Sequence, residues 1–223
     1  MPGYGLPDCV SFGLVEQEPV FLDLERDRYY RLEPDARTEF LALLGADGSD
    51  AQMIRPGGKL IATGLLVPES AGSQLAPANC QSPIHSALDL PLARAWPSLL
   101  LIAEAWWRLR WARRQLSRGQ LAALIAMLRL AKGWERQGED RHDKAAGLSA
   151  RFVAASRIVP IRPNCLADSL ALAFFLARRH LYPKLVFGAK LNPFAAHCWT
   201  QDDGLLLNDS LDTVEEFVPV LVV

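Results

Sequence analysis

The chain has 223 residues, half of them hydrophobic and 22% charged, a globular composition that excludes wholesale disorder. Lys and Arg number 24 against 25 Asp and Glu, so the net charge is −1 and the basic excess that marks a nucleic-acid binder is missing. Four cysteines, Cys9, Cys80, Cys165 and Cys198, are too few and too scattered for a disulfide framework, and without a Cys-x-x-Cys pair a structural zinc site is not expected. Met1-Pro2-Gly3-Tyr4-Gly5 has neither the basic stretch nor the apolar run of a signal peptide. The longest apolar region, 88–111, is interrupted by Asp89, Arg94, Pro97, Glu104 and Arg108 and fails as a membrane span of about 20 apolar residues. The expectation is a soluble protein of a reducing cytoplasm, with no membrane or nucleic-acid partner and room for one large or two small domains.

Along the chain, Val10–Val15 reads as a short strand. Val20–Leu24 and Arg28–Leu32 flank the polar trio Glu25-Arg26-Asp27 and read as a hairpin. A three-residue loop pairs Leu22 with Tyr30 and Val20 with Leu32. That register places Val20, Leu22, Tyr30 and Leu32 on one face, with Phe21, Asp23, Tyr29 and Arg31 on the other, as a half-buried hairpin requires. Pro34 can open a helix whose apolar stripe is Phe40, Leu41, Leu43 and Leu44, ended by Gly45 and Gly48. A second polar start at Ser49-Asp50 and the apolar stretch 60–67 complete a small winged-helix-like unit over residues 1–80.

Residues 68–91 are rich in Pro, Ser, Ala and Gly and read as a linker, ordered in part, of the kind that carries few inter-domain contacts. From Trp96 to Trp134 the pattern is helical. Residues 98–107 and 121–128 are apolar around much of their circumference, which predicts two buried helices packed on each other. The polar interval 133–147 reads as a surface loop.

Chemistry concentrates in 162–219. Asn164 is a good N-cap for an apolar helix running to about Arg179-His180, which places Cys165 in the first turn. The helix dipole and free backbone N–H groups there favour a thiolate and supply donors for an oxyanion, the Cys165 N–H first among them. Further on, 195–201 and 205–209 flank Asp202-Asp203-Gly204 and read as a second hairpin. A three-residue loop sets His197 opposite Asp209, at a Cβ separation of about 4.5–5.5 Å. A two-residue loop sets His197 opposite Ser210 instead. The first register yields thiol, base and orienting carboxylate, the arrangement a cysteine nucleophile needs. Cys198 competes as nucleophile, but beside His197 on a strand its side chain points to the other face. His85, His142 and His180 fall in a linker, a loop and a helix end, where solvated roles are the default. A metal site of Cys198, His197 and Asp209 lacks a fourth ligand.

Cys165-Leu-x-x-Ser-Leu-Ala-Leu, His197-x-Trp199, Leu207-Asn208-Asp209 and Phe217-x-Pro219 together resemble the transglutaminase-like cysteine peptidases of lasso peptide biosynthesis, the B proteins. The N-terminal unit, with Leu22-Asp23-Leu24 and Arg28-Tyr29-Tyr30-Arg31-Leu32, is similar to the precursor-recognition domains of ribosomal peptide pathways and to the small chaperone of pyrroloquinoline quinone biosynthesis. The resemblance implies an α+β chain. A winged-helix-like recognition domain (1–80) is followed by a helical segment and a papain/transglutaminase-like peptidase domain (84–223). It implies Cys165 as nucleophile, His197 as general base and Asp209 as the orienting acid, with no metal and no cofactor. The leader of a lasso precursor would add a strand to the 20–32 hairpin at Arg28, Tyr29, Tyr30 and Leu32. Cleavage would free the core peptide for a separate asparagine-synthetase-like cyclase.

Two other classes fit the residues. An acyltransferase uses the same triad and differs only in the nucleophile that resolves the acyl-enzyme. A non-catalytic module would use the N-terminal unit to hold peptide or DNA, although 49–67 carries only Arg55 and Lys59 for phosphate contacts.

Overall fold

The computed structural model describes residues 4–45, 60–61, 63–68, 75–93, 96–132 and 141–223. It is a mixed α+β structure. In chain order come β1 (Tyr4–Gly5), β2 (Val10–Val15), β3 (Glu18–Asp23), β4 (Arg28–Arg31), α1 (Pro34–Gly45), β5 (Val67–Pro68) and β6 (His85–Ser86). Then follow α2 (Leu99–Leu116), α3 (Leu121–Lys132), α4 (Arg141–Ile158), α5 (Cys165–Ala177), β7 (Lys184–Lys190), β8 (Ala195–Asp202), β9 (Leu205–Leu206), α6 (Leu211–Val214) and β10 (Val218–Val222). The expected helical start at Ser49-Asp50 lies outside the described residues.

β2, β3 and β4 form an antiparallel sheet in that order, leaving β4 as an edge. The 20–32 hairpin forms, one residue out of the expected register: Val20 pairs with Arg31, Phe21 with Tyr30, Leu22 with Tyr29 and Asp23 with Arg28. The cause is local. The Asp23 carboxylate accepts hydrogen bonds from the Glu25 and Arg26 N–H groups, both at 3.0 Å, and closes a four-residue turn in place of a three-residue one. A slip of one residue exchanges faces. Tyr30 therefore joins Phe21 and Tyr29 joins Leu22, the reverse of the sequence expectation.

Both faces of this sheet are covered, so the half-buried expectation is also corrected. On one face Phe12, Phe21 and Tyr30 pack with Phe40 and Leu43 of α1; Phe40 meets Phe12 and Phe21 edge-on at 5.1 and 5.0 Å between ring centres. On the other face Val15, Val20, Leu22 and Tyr29 enter the main core, together with α5 and the second sheet. Gly13 makes this close approach possible: a Cβ there would stand 2.1 Å from the Pro219 carbonyl oxygen.

The second sheet has the order β10-β7-β8-β9-β6, antiparallel except for the parallel β6–β9 pair. β6 comes from the stretch read as a linker. Residues 75–93 are thus built into the fold: Ala78 N–H donates to Phe12, Ile84 N–H to Gly204, and the Gln201 amide to the Gln81 carbonyl.

The helical region differs from its reading in two ways. α2 and α3 exist, but both lie against α5 more than on each other. α2 buries Ala105, Arg108, Leu109 and Ala112 and leaves Leu99, Leu100, Trp106 and Trp107 exposed. Residues 141–147, read as loop, open α4, whose buried side is Ala145, Ala146, Ser149, Ala150, Phe152, Ala154 and Ala155. Small residues give little apolar periodicity, yet they let α4 lie close against α2 and α5, where Phe152 meets Phe175 at 4.6 Å. At the far end of α5, Arg179 makes a two-pronged contact with Glu104 of α2, at 2.9 and 3.2 Å.

Candidate active site

Asn164 caps α5. Its side-chain oxygen accepts from Ala167 N–H at 2.9 Å, and its own N–H donates to Asp168 Oδ2 at 2.9 Å. Such a cap contributes about 1 kcal/mol and sets Cys165 as the first helical residue, exposed to solvent. Arg113 of α2 donates to the Arg162 carbonyl and lies 3.9 Å from Asp168, which holds the entry to the helix against α2.

Strand β8 meets this helix end along an edge that β9 does not cover. The β8–β9 pairing runs through Gln201–Leu206 and Asp202–Leu205, around a two-residue turn with Asp203 at φ +50°, and one last bond carries Leu207 N–H to the Thr200 carbonyl at 2.9 Å. Beyond it the helix supplies the partners. Ser169, one turn after Cys165, donates to the Cys198 carbonyl at 2.9 Å. Residues i and i+4 of α5 lie on one face of the helix, so this bond also sets Cys165 toward the strand that carries His197.

His197 Nε2 lies 2.5 Å from Asp209 Oδ2. The contact arises although the ladder, if continued, would oppose His197 and Ser210, the second of the two expected registers. β9 ends at Leu206, the chain bends, and Asp209 reaches the imidazole from a loop and not from a cross-strand position. Five bonds hold it there. Asn208 Oδ1 accepts from Thr200 N–H (2.8 Å) and from the Thr200 hydroxyl (3.0 Å), while Asn208 Nδ2 donates to Ser169 Oγ at 2.8 Å. Ser86 Oγ donates to the Asp209 carbonyl at 2.7 Å, and Ser210 N–H donates to Asp209 Oδ1 at 2.8 Å. Ser169, Thr200, Asn208 and Ser86 are positioning residues that received no role in the sequence analysis. Ser169 and Asn208 stood inside the quoted motifs. Ser86, 123 residues from Asp209, left no signal.

With Nε2 taken by Asp209, Nδ1 is the nitrogen left for the thiol. The bond to His197 holds Cys165 below the ordinary thiol range. Burial works against it, while the charge of the imidazolium and the N–H groups of Cys198 and Leu166 assist. His197 is pushed up to about 9, first by Asp209 and then by Cys165, against burial. Both shifts favour thiolate and imidazolium over thiol and imidazole. Phe217 packs at 5.1 Å from the imidazole ring, and Trp199 at 6.1 Å lies over Gly188, where a Cβ would stand 2.6 Å from the indole. Activity that needs the imidazolium should fall as pH rises through about 9, and this alkaline limb belongs to the coupled pair. A pH–kcat/KM profile checks it; a flat profile from pH 7 to about 10 would contradict the ion pair.

Cys198 is buried on the opposite face of β8, and burial pushes its thiol well up, which makes it a poor nucleophile. His85 is exposed at β6 and His180 lies in the turn after α5. His142 is on α4, its Nδ1 2.8 Å from Asp202 Oδ2. Among the described residues His142, Asp202 and Asp203 have donor atoms within 4.8 Å of one another. Arg141 and Lys184 already neutralise the two carboxylates, at 3.6 and 3.0 Å, so this group is accounted for as ion pairs.

On the N-terminal sheet, Arg28, Tyr30 and Leu32 line a cleft of about 730 Å³ between the β4 edge, the start of α1, and Leu60 and Leu65. Tyr29 is turned away from it, toward the second sheet, and meets Phe194 edge-on at 5.9 Å.

A thiol at a helix start, an imidazole held by a carboxylate, and backbone donors beside the sulfur make up a site for thiol-dependent acyl transfer. Residues 105–222, just over half of the chain, match the family model of the transglutaminase-like superfamily, and the chain belongs to that superfamily, which includes cysteine peptidases and acyltransferases. No curated protein and no solved structure matches the chain. No helix among the described residues is long and apolar enough to cross a membrane.

Proposed function

We propose that the protein is a cysteine leader peptidase of lasso peptide biosynthesis. Residues 1–80 bind the leader of a ribosomally made precursor, and residues 84–223 hydrolyse the leader–core amide bond. The observation that carries the catalytic half is His197 Nε2 at 2.5 Å from Asp209 Oδ2, on a strand that Ser169, one helical turn after Cys165, ties to α5. The Cys165 thiolate adds to the scissile carbonyl, and the oxyanion is held by first-turn N–H groups of α5. As the adduct collapses, the C–N bond breaks, the His197 imidazolium protonates the leaving amine, and a thioester remains. Water, losing a proton to His197, then releases the leader as a carboxylate. The sequence of steps balances without a metal or cofactor.

The recognition half rests on the outer edge of β4, which no strand among the described residues covers. Its backbone groups can take an added strand, and Arg28, Tyr30 and Leu32 beside it offer side-chain contacts. Docking there raises the effective concentration of the scissile bond at Cys165. The freed amine then passes to an asparagine-synthetase-like cyclase, and the reaction belongs in the cytoplasm, before export. The test is incubation of the full-length protein with synthetic precursors drawn from the short reading frames neighbouring its gene. Mass spectrometry should find two fragments that together weigh one water more than the substrate. A crosslinked product would reassign the protein to amine acyl transfer, and intact peptide throughout would overturn both.

A further inference from the structure

A second cleft, of about 290 Å³, lies on the other side of β4, walled by Val20, Tyr29 and Arg31 from the N-terminal sheet and by Leu191, Pro193 and Phe194 from the β7–β8 turn. It is too small for a ligand of drug size and suits one or two side chains. We propose that this cleft is a specificity subsite that takes an apolar side chain from the acyl side of the scissile bond, with Tyr29 and Phe194 as its walls. The inference rests on the peptidase reading and adds to it a determinant of sequence preference shared between the two halves of the chain.

Three observations carry it. The first is continuity. Tyr30 and Arg31 line both this cleft and the larger one, so a peptide added along the β4 edge passes from one to the other. The second is direction. The β7–β8 turn leads within three residues from Phe194 to His197, and the Tyr29 ring meets Phe194 edge-on at 5.9 Å. In keeping with this, burial chiefly, and then the fields of the Cys198 and Cys165 sulfurs, push the Tyr29 phenol up. The third is rigidity. Asn192 Nδ2 donates to Glu16 Oε2 of the β2–β3 turn at 3.1 Å and fastens the turn that carries Phe194 to the N-terminal sheet. Phe194 itself is 55% exposed, an aromatic wall with one face open. A peptide whose leader lies on β4 and whose scissile carbonyl lies at Cys165 has its last leader residues here.

The test uses tetrapeptide acyloxymethyl ketones, in which each position is scanned across apolar and polar residues. These form a thioether with the Cys165 sulfur and expel a carboxylate, and the rate of labelling is read by intact mass. In the wild-type protein one position should favour a large apolar residue over alanine by at least about tenfold, the preference of a filled apolar pocket. In Phe194→Ala that preference should fall to within about twofold, while the rate with iodoacetamide, which reports the thiolate alone, stays unchanged. Tyr29→Leu, which keeps an apolar wall of different shape, should move the preferred residue without abolishing the preference. A preference that survives Phe194→Ala, or none in the wild type despite peptide labelling, overturns the subsite and leaves the peptidase reading in place. If no peptide ketone labels Cys165 faster than chloroacetone, the peptidase reading fails and the subsite with it.

Discussion

Cys165→Ala should abolish cleavage of the precursor, with a loss of at least about a thousandfold, because the chemistry has no other nucleophile at the site. Leader affinity should stay within about threefold, a change below 1 kcal/mol, since the leader cleft at Arg28, Tyr30 and Leu32 lies beside β4 and α1 while the thiol stands at the start of α5. Cys198→Ala is the control. Its thiol is buried, faces away from His197 and is held protonated, so this variant should remain active. Product mass spectrometry and titration with labelled leader read the two quantities separately. Cleavage retained in Cys165→Ala would remove the nucleophile assignment. Loss of leader binding in the same variant would place the docking surface at the catalytic site.

The second large effect is expected for Asp209→Asn, a fall in cleavage rate of more than tenfold in a folded protein. Asp209 Oδ1 is occupied by the Ser210 N–H. An asparagine that keeps this bond turns its NH₂ group toward Nε2–H of His197, donor against donor. The charge that stabilises the imidazolium is lost as well. Because Asp209 is the first cause of the raised His197 value, the alkaline limb should also move down from about 9. That shift separates an electrostatic role from a structural one. Asp202 and Asp203 cannot substitute, since they are engaged by His142, Arg141 and Lys184. A wild-type rate with an unmoved limb would mean that another group orients the histidine.

The ends of elements were the most legible parts of this protein. Asn164 before an apolar run announced the start of α5 and with it the place of Cys165, because a cap is a bond between residues three apart. The three strands β2, β3 and β4, and the strand–turn–strand around Asp203-Gly204, were visible from alternation and turn residues. Turn length was less so. Asp23 lengthened one loop by bonding two backbone N–H groups, and the turn at 203–204 came out one residue shorter than the register that opposes His197 and Asp209. Each difference of one residue exchanges the faces of a strand. α4 was illegible in its first turns, because an alanine and serine surface shows its burial only once α2 and α5 lie on it.

Residue chemistry within one short segment was decided by the sequence itself: a thiol at a capped helix start, and an imidazole on a strand with an aspartate twelve residues on. Whether the three meet was decided by contacts between segments far apart in the chain. Asn208 replaces the missing ladder by bonding Thr200 and Ser169, Ser169 bonds the Cys198 carbonyl, and Ser86 bonds Asp209 across 123 residues. Hydrogen bonds of this kind carry no periodicity and no fixed spacing. They form only where buried polar groups, left unpaired by the end of β9, must find partners in whatever element packs beside them.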